Sequence, residues 1–300
     1  MSRRRRVLTV LTAGLLLLTA ACSGAPDGTA ASAAPPPEAA ATTGSTGPLD
    51  TTAASTRIAV AGDTGTGSPD EQRTADAIAA AGPFDALVLL GDLVYPEGDP
   101  ASVDDVVTTP FATTLAGGAV LVPVLGNHDH AGGEAEDIMS ALGRDRGWYA
   151  EQVGTVRLVV LDTERVDDPE QTRWLEETLA APAPAGSWTV VAMHRPAYSS
   201  GEHGSATDVR EAWEDLFVTH GVALVLAGHD HDYERSTPQG GVVHVVSGAG
   251  AKLRPVGEQD FTAVSASVLH HLELDVTTAR LDGRAVDDTG GLVDEFVLTR

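Results

Sequence analysis

Short runs of β-branched and other apolar residues recur along the chain from residue 57 onward, and several of them alternate with amphipathic helical patterns. The apolar runs predict strands at residues 57–61, 86–90, 119–125, 156–161, 188–192, 223–227 and 242–246. The helical patterns predict helices at residues 69–81, 102–115, 135–143, 168–180 and 207–219. This alternation favours a layered α/β domain over residues 56–300, and the strand-rich tail from residue 242 favours antiparallel additions to its sheets.

The first 55 residues follow a different pattern. Four arginines precede an apolar run from Val7 to Ala21, and this order predicts an export signal over residues 1–21. The run is shorter than the roughly 20 residues that span a bilayer as a helix, so we do not expect the mature protein to cross a membrane. Residues 22–55 are rich in Ala, Pro, Gly, Thr and Ser, which is typical of a disordered tether.

Cys22 is the only cysteine of the chain, which excludes a disulfide framework and a cysteine-built zinc site. Residues 18–22 resemble the lipobox of bacterial lipoproteins, although Thr19 stands where leucine is usual. In that family the cysteine is lipidated and becomes the new N-terminus. The resemblance implies an exported protein that is anchored through Cys22 to the outer face of the cell membrane; plain secretion is the alternative.

The chain carries a formal net charge of −24, with 43 acidic and 19 basic residues. A surface this acidic repels nucleic acid backbones and anionic lipid headgroups. We therefore expect no nucleic acid partner, and membrane association only through a lipid anchor at Cys22.

Five polar clusters follow predicted strands, and the carboxyl ends of strands line the ligand crevice of an open α/β sheet. The clusters are Gly62-Asp63-Thr64-Gly65, Gly91-Asp92-Leu93-Val94-Tyr95, Gly126-Asn127-His128-Asp129, Met193-His194-Arg195-Pro196 and Gly228-His229-Asp230-His231. Carboxylate, amide, phenolate and imidazole donors suit iron, manganese or zinc. One carboxylate can bridge two cations about 3.5–4 Å apart, so the sequence predicts a hydrolytic two-metal site.

The order D-x-G, G-D-x-x-Y, G-N-H-D, H, G-H-x-H resembles the metallophosphoesterase superfamily, and within it the purple acid phosphatases, over about residues 57–250. The general superfamily begins with D-x-H, whereas this chain has Gly65 at the third position and an added donor at Tyr95. The resemblance implies the calcineurin-like phosphoesterase fold, an α/β/β/α sandwich of mixed sheets with helices on the outer faces. The implied ferric ligands are Asp63, Tyr95 and His231; those of a divalent ion (Fe, Zn or Mn) are Asn127, His194 and His229; Asp92 bridges the two ions.

Two further histidines are implied to be catalytic. His128 follows the asparagine ligand and would assist phosphate binding or protonate the leaving group, and His203 resembles a second histidine on the substrate side. Two alternatives stay open at this stage: Tyr95 beside the metal without binding it, and His203 as a surface residue. For Arg195 we expect an ion pair, with a phosphate contact as the alternative.

The function implied by the resemblance is hydrolysis of small phosphate esters by attack of metal-bound hydroxide. No GxSxG motif supplies an alternative serine nucleophile. Two other functions are weighed against it. One is a phosphodiesterase that uses Mn or Zn on the same scaffold, and the other is a lipoprotein that binds metal or phosphate and has lost catalysis.

Overall fold

The computed structural model describes residues 55–300, and within this range thirteen strands and six α-helices are found. The strands are β1 (Thr56–Ala61), β2 (Ala86–Leu89), β3 (Val120–Pro123), β4 (Tyr149–Val153), β5 (Val156–Val160), β6 (Trp188–Ala192), β7 (Leu224–Ala227), β8 (Tyr233–Ser236), β9 (Val243–Ser247), β10 (Thr262–Ala266), β11 (His270–Val276), β12 (Arg280–Asp287) and β13 (Leu292–Thr299). The helices are α1 (Pro69–Ala81), α2 (Ala112–Ala116), α3 (Asn127–Ala131), α4 (Ala135–Ala141), α5 (Pro169–Ala180) and α6 (Thr207–Thr219).

The predicted export signal, the lipidation site at Cys22 and all but the last residue of the predicted tether lie outside the described residues. Among the helices in residues 55–300, none combines the length and the apolar character needed to cross a bilayer.

The strands form two mixed sheets. The six-stranded sheet has the order β13-β12-β11-β1-β2-β3, in which β1, β2 and β3 run parallel. The seven-stranded sheet has the order β10-β8-β9-β7-β6-β5-β4, in which β5, β6, β7 and β9 run parallel. Each parallel set delivers its carboxyl ends to one edge of its sheet, and these edges carry the polar clusters.

Strand β1 shows why the core has separate layers. Ile58 and Val60 pack between the two sheets, whereas Ala59 and Ala61 pack with the helices on the other side of their own sheet. Because the strand is buried on both faces, its sequence is an unbroken apolar run. A third cluster, which includes Trp213 of α6, joins the seven-stranded sheet to α5 and α6. The predicted α/β/β/α sandwich is confirmed.

Helix α5 begins as its sequence predicts. The side chain of Asp168 accepts a hydrogen bond from the Glu170 amide (2.8 Å), and Pro169 occupies the first turn. A capping acceptor satisfies an amide that has no partner inside the helix, and proline suits the first turn because its missing N–H is not needed there.

One predicted feature of the secondary structure is wrong. The helix predicted at residues 102–115 is a 3₁₀ turn at Pro100–Ser102, a π turn at Asp104–Thr108 and the short α2, because Pro110 cannot donate a backbone hydrogen bond and disfavours helix before it. The antiparallel additions predicted for the tail are confirmed for β10, β11, β12 and β13, whereas β9 pairs parallel with β7. The unpredicted strand β8 makes the antiparallel pair with β9.

Candidate metal centre

Backbone conformation directs three of the predicted ligands into the crevice. Asp63, Asp92 and His229 have φ angles of 57°, 51° and 72°, and within residues 55–300 they are the three residues other than glycine with positive φ. Such conformations are uncommon, cost free energy and cluster at functional sites. All three follow the carboxyl end of a parallel strand, so the chain turns sharply where it leaves the sheet.

One group of donors gathers around the hydroxyl of Tyr95. This hydroxyl lies 2.8 Å from Asp92 Oδ2, 3.3 Å from Asp63 Oδ1 and 3.3 Å from His231 Nε2. The last two atoms are 3.4 Å apart. Asp63, Asp92 and His231 are buried, and their donor atoms lie close enough together to hold one metal ion. These four side chains, here called the tyrosine group, are the predicted ferric ligands and the predicted bridge.

A second group of donors gathers around Asn127. Its Oδ1 lies 3.0 Å from His194 Nε2 and 2.9 Å from His229 Nδ1, and the two imidazole nitrogens are 3.2 Å apart. The other carboxylate oxygen of Asp92, Oδ1, lies 3.4 Å from His194 Nε2. Asp92 therefore presents one oxygen to each group, as a bridging ligand does. Asn127, His194 and His229 are here called the asparagine group.

The chemistry of the asparagine group fits a cation. His194 Nδ1 lies 2.8 Å from the Leu90 carbonyl, which only accepts, so Nδ1 carries a proton and the neutral ring presents the lone pair of Nε2 to Asn127 Oδ1. Two acceptors that face each other at this distance leave room for a positive ion. Burial lowers the pKa of His194, but Asp92 and Asp63 raise it above its ordinary value overall. A proton on Nε2 is therefore the competitor that a metal ion displaces.

The tyrosine group also fits a cation. Burial raises the pKa of Asp63 well above its ordinary value, against the lowering effect of His194, and the charge of Asp92 adds to the rise. Burial, Asp63 and Asp92 likewise raise the pKa of the Tyr95 phenol. For Asp92 itself, burial favours the neutral acid, but His194 and the hydrogen bonds from the His128 amide and Tyr95 hold the pKa below its ordinary value. A metal ion would reverse the repulsion among these oxygens and displace their protons.

Neutral imidazole is favoured at the remaining two histidine ligands. Burial, with the positive field of His194 and His203, lowers the pKa of His229 to about 3. Burial, with Arg254, lowers the pKa of His231 to about 4. Both rings are therefore neutral at ordinary pH, which is the protonation state in which imidazole binds metals.

Gly65 explains the exchange of histidine for tyrosine in the first motif. A Cβ atom at this position would lie 1.8 Å from the carbonyl oxygen of Leu93. The Gly65 carbonyl accepts a hydrogen bond from the Tyr95 amide (2.8 Å), so the loop that carries the phenol packs directly on this glycine. A histidine cannot occupy position 65 while the loop supplies Tyr95.

His128 and His203 lie beside the two groups and line the same cavity, which has a volume of about 740 Å³. His128 Nδ1 donates to the Pro96 carbonyl (2.6 Å), which leaves Nε2 free, 4.0 Å from Asp92 Oδ2. The His203 ring lies 4.5 Å from the ring of His229, centroid to centroid. Both histidines are therefore within reach of a ligand bound in the cavity.

Asp129, the last residue of the third cluster, holds two of the loops together. Asp129 is buried and accepts hydrogen bonds from the amides of Gly126 (2.8 Å), Leu93 (3.1 Å) and Val94 (2.9 Å), which ties the second cluster to the third. Burial, with the nearby charge of Asp92, raises the pKa of Asp129 to about 6.

Arg195 forms ion pairs, and these answer the alternative left open for it. Its guanidinium lies 2.9 Å from Glu164 and 2.8 Å from Asp208. It is therefore engaged away from any phosphate.

Four charged residues of the cavity were not identified from the sequence: Asp70, Glu202, Lys252 and Arg254. The two cations follow β9, another parallel strand. The strand-end rule, if applied to β9, would have found them. They were overlooked because neither residue type is a metal ligand of the expected kind.

The chain is similar to several known proteins. The family profile described as calcineurin-like phosphoesterase matches residues 56–233. Acid phosphatase type 7 of mouse is 26% identical over 300 residues, covering 78% of this chain and 67% of the mouse protein. Human tartrate-resistant acid phosphatase type 5 is 36% identical over 85 residues, which are 28% of this chain and 26% of the human protein.

Other matches are partial or structural. An uncharacterized protein of Mycobacterium tuberculosis is 34% identical over 113 residues, so the aligned part is 32% of this chain and only 21% of that protein. A purple acid phosphatase from yellow lupin seeds shares the fold with a TM-score of 0.73 and 20% identity, covering 83% of this chain and 54% of the lupin chain. GAP50, the anchor in the inner membrane complex of Plasmodium, shares the fold with a TM-score of 0.70 and 17% identity, covering 82% of this chain and 89% of the GAP50 chain.

The profile match covers more than half of the 300 residues. It includes the strand ends that carry both groups of donors. The fold agrees with that of the lupin enzyme over most of the chain. The protein belongs to the calcineurin-like phosphoesterase family.

Proposed function

We propose that the protein hydrolyses phosphate esters at a two-metal centre of the purple acid phosphatase type. The observation that carries this proposal is the pair of donor groups that share Asp92, one oxygen to each. A shared carboxylate between two sets of nitrogen and oxygen donors is the arrangement used by hydrolytic two-metal sites.

In this proposal the tyrosine group holds a ferric ion and the asparagine group holds a divalent ion (Fe, Zn or Mn). The phenol supports the ferric assignment, because phenolate is a hard, charged ligand. When bound, the two ions would generate a nucleophile from water at mild pH and polarise a phosphoryl oxygen.

The protein's own residues would position the ester and supply the proton. His128 is oriented by the Pro96 carbonyl, so its Nε2 faces the cavity. In the imidazolium form, with a proton on each nitrogen, it would donate the Nε2 proton to the leaving oxygen as the P–O bond breaks. His203 lies over the His229 ring and would donate a hydrogen bond to the phosphoryl group. Cleavage then needs no serine or cysteine nucleophile.

Turnover of 4-nitrophenyl phosphate by the metal-loaded protein tests this function. Asp92→Asn should remove most of the metal and nearly all activity, because it alters the ligand shared by both groups. Asp76→Asn, at an exposed position on α1, makes the same chemical change away from the site and should behave like the wild type. A protein that carries two metal ions and hydrolyses neither aryl monoesters nor aryl diesters would refute the proposal.

Two alternatives are separated by simple measurements. A phosphodiesterase that runs on Mn or Zn would lack the visible band of phenolate on ferric iron and would prefer bis(4-nitrophenyl) phosphate. A lipoprotein that only binds metal or phosphate would show no turnover. The position of His128 argues against pure binding, because its free nitrogen faces the cavity beside Asp92 without belonging to either donor group.

We also propose that the protein is exported and lipidated at Cys22. The sequence pattern of residues 1–22 supports this. The wild type should then partition into the membrane fraction, whereas Cys22→Ser should be soluble or accumulate as an uncleaved precursor. A Cys22→Ser variant that is processed to the mature size and still fractionates with membranes as the wild type does would contradict lipid anchoring.

A further inference from the structure

One wall of the cavity is formed by the segment 251–255, here called the basic rim, which follows β9. It contains Lys252, the only lysine of the chain, and Arg254. Acidic residues outnumber basic ones 43 to 19 over the whole sequence, so two cations on one cavity wall stand out against the rest of the protein. Neither residue belongs to the donor groups described above.

Lys252 is the unpaired cation of this cavity. Its Nζ lies 3.2 Å from the centroid of the Tyr95 ring, so it contacts the face of the ring. Within residues 55–300, no ion pair involves Lys252. The two carboxylates of the tyrosine group both contact the Tyr95 phenol, and that of Asp63 also contacts His231.

Arg254 lies behind one ligand of the tyrosine group. Its Nε donates to His231 Nδ1 (3.3 Å), whereas the other ring nitrogen, Nε2, faces the donors. Its backbone amide donates to the His231 carbonyl (2.9 Å), and its Nη1 pairs with Glu202 (2.6 Å). These contacts hold the basic rim in place and keep the guanidinium one ring away from the donor atoms.

The other charged groups that line the cavity are already engaged. Asp70 pairs with Arg73 (2.8 Å), and Glu202 pairs with Arg254. The remaining ionisable groups of the cavity wall are imidazoles and the Asp92 ligand. The local balance at the rim therefore favours an anion, and Lys252 is the group free to bind it.

We propose that Lys252, supported by Arg254, binds a second anionic group on the leaving group of the substrate, either a carboxylate or a phosphate. This inference rests on the proposed phosphatase function. Lys252 lies against the face of the Tyr95 ring, and Arg254 lies behind the His231 ring. Neither cation belongs to the donor groups, so they suit an anion attached to the reacting ester more than the reacting phosphoryl group itself. A cavity of about 740 Å³ has room for a leaving group of one aromatic ring that carries such an anion.

The test compares 4-carboxyphenyl phosphate with 4-carbamoylphenyl phosphate, which differ in the charge of one substituent, and with 1,4-phenylene bisphosphate. For each of the two substrates with a charged substituent, the carboxylate and the bisphosphate, we take the ratio of its kcat/KM to that of 4-carbamoylphenyl phosphate. This ratio should fall about threefold to tenfold in Lys252→Gln, mainly through KM. Arg280→Gln removes an exposed cation on β12 and should leave the ratio unchanged. A fall for the bisphosphate alone assigns the subsite to phosphate, and a fall for the carboxylate as well assigns it to anions in general.

A second measurement does not depend on turnover. Titration calorimetry with 4-carboxybenzylphosphonate and 4-carbamoylbenzylphosphonate should give a preference for the charged ligand that Lys252→Gln reduces by the same factor. An equal loss for charged and neutral ligands would show that Lys252 acts on the reacting phosphoryl group and would overturn the inference, as would no loss for either. If the wild type hydrolyses none of the substrates, the proposed function fails, and the phosphonate titration still decides the subsite.

Discussion

Substitution of Gly65 by alanine tests the packing that brings Tyr95 into the centre. The added Cβ would lie 1.8 Å from the Leu93 carbonyl oxygen and 2.7 Å from the Val94 amide nitrogen, both backbone atoms. Ordinary van der Waals contact begins at about 3.4 Å, so the backbone at Leu93 must move by about 1.6 Å, the difference between 3.4 and 1.8. No side-chain rotation can relieve this contact.

The expected cost follows from the contacts that such a movement breaks. The Gly65 amide donates to the Asp92 carbonyl (3.2 Å) and the Tyr95 amide donates to the Gly65 carbonyl (2.8 Å). Losing both costs about 1–3 kcal/mol, and overpacking adds about 1–3 kcal/mol. Replacing glycine restricts the unfolded chain and returns about 0.4–1 kcal/mol. We expect Gly65→Ala to lower the free energy of unfolding by about 1–6 kcal/mol.

Urea unfolding of the chelator-treated protein measures this difference without a contribution from bound metal. Gly82→Ala is the matched control, because its Cβ would meet its nearest neighbour at 3.6 Å and its φ is −57°. The control should stay within about 0.5 kcal/mol of the wild type. If Gly65→Ala were as stable as Gly82→Ala, the argument that the tyrosine loop packs on Gly65 would be wrong.

Three further outcomes follow from other parts of the structure. His128→Ala should keep its metal in elemental analysis while kcat falls about 100-fold or more, and loss of metal would contradict its role as a proton donor. Burial raises the pKa of Glu71 to about 7 from 4.5, so the folded state holds this proton more tightly than the unfolded chain and stability falls as pH rises between these values. Urea unfolding at several pH values gives the free energy of unfolding as a function of pH. In Glu71→Gln the fall of this free energy with pH should be smaller, by up to about 1.4 kcal/mol per pH unit in that window. An unchanged pH dependence would refute the raised pKa of Glu71. Asp129→Ala leaves three buried amides without an acceptor, so it should lower the free energy of unfolding in the same assay by about 3 kcal/mol or more. A loss under 1 kcal/mol would contradict this role of Asp129.

The sequence was informative about the centre because its donors follow strand ends. Asp63 and Asp92 come directly after short apolar strands, and parallel strands deliver their carboxyl ends to one edge. Convergence of residues that are far apart in the chain could thus be predicted from local patterns. The structure adds what local patterns do not contain, such as the division of the two oxygens of Asp92 between the donor groups.

The failures have physical causes as well. The helical pattern of residues 102–115 was broken by Pro110, whose effect on the backbone outweighed the apolar periodicity. Lys252 and Arg254 were overlooked because the strand-end rule was applied only to residue types that bind metals, and neither lysine nor arginine is one of them. Only the fold brings Lys252 over the Tyr95 ring and Arg254 against His231.

The metal content of the purified, reconstituted protein tests the central claim most directly. If the tyrosine and asparagine groups each hold an ion and share Asp92, elemental analysis should find two metal ions per chain, with iron among them. A protein that retains no metal, or only a single ion under saturating conditions, would contradict the account.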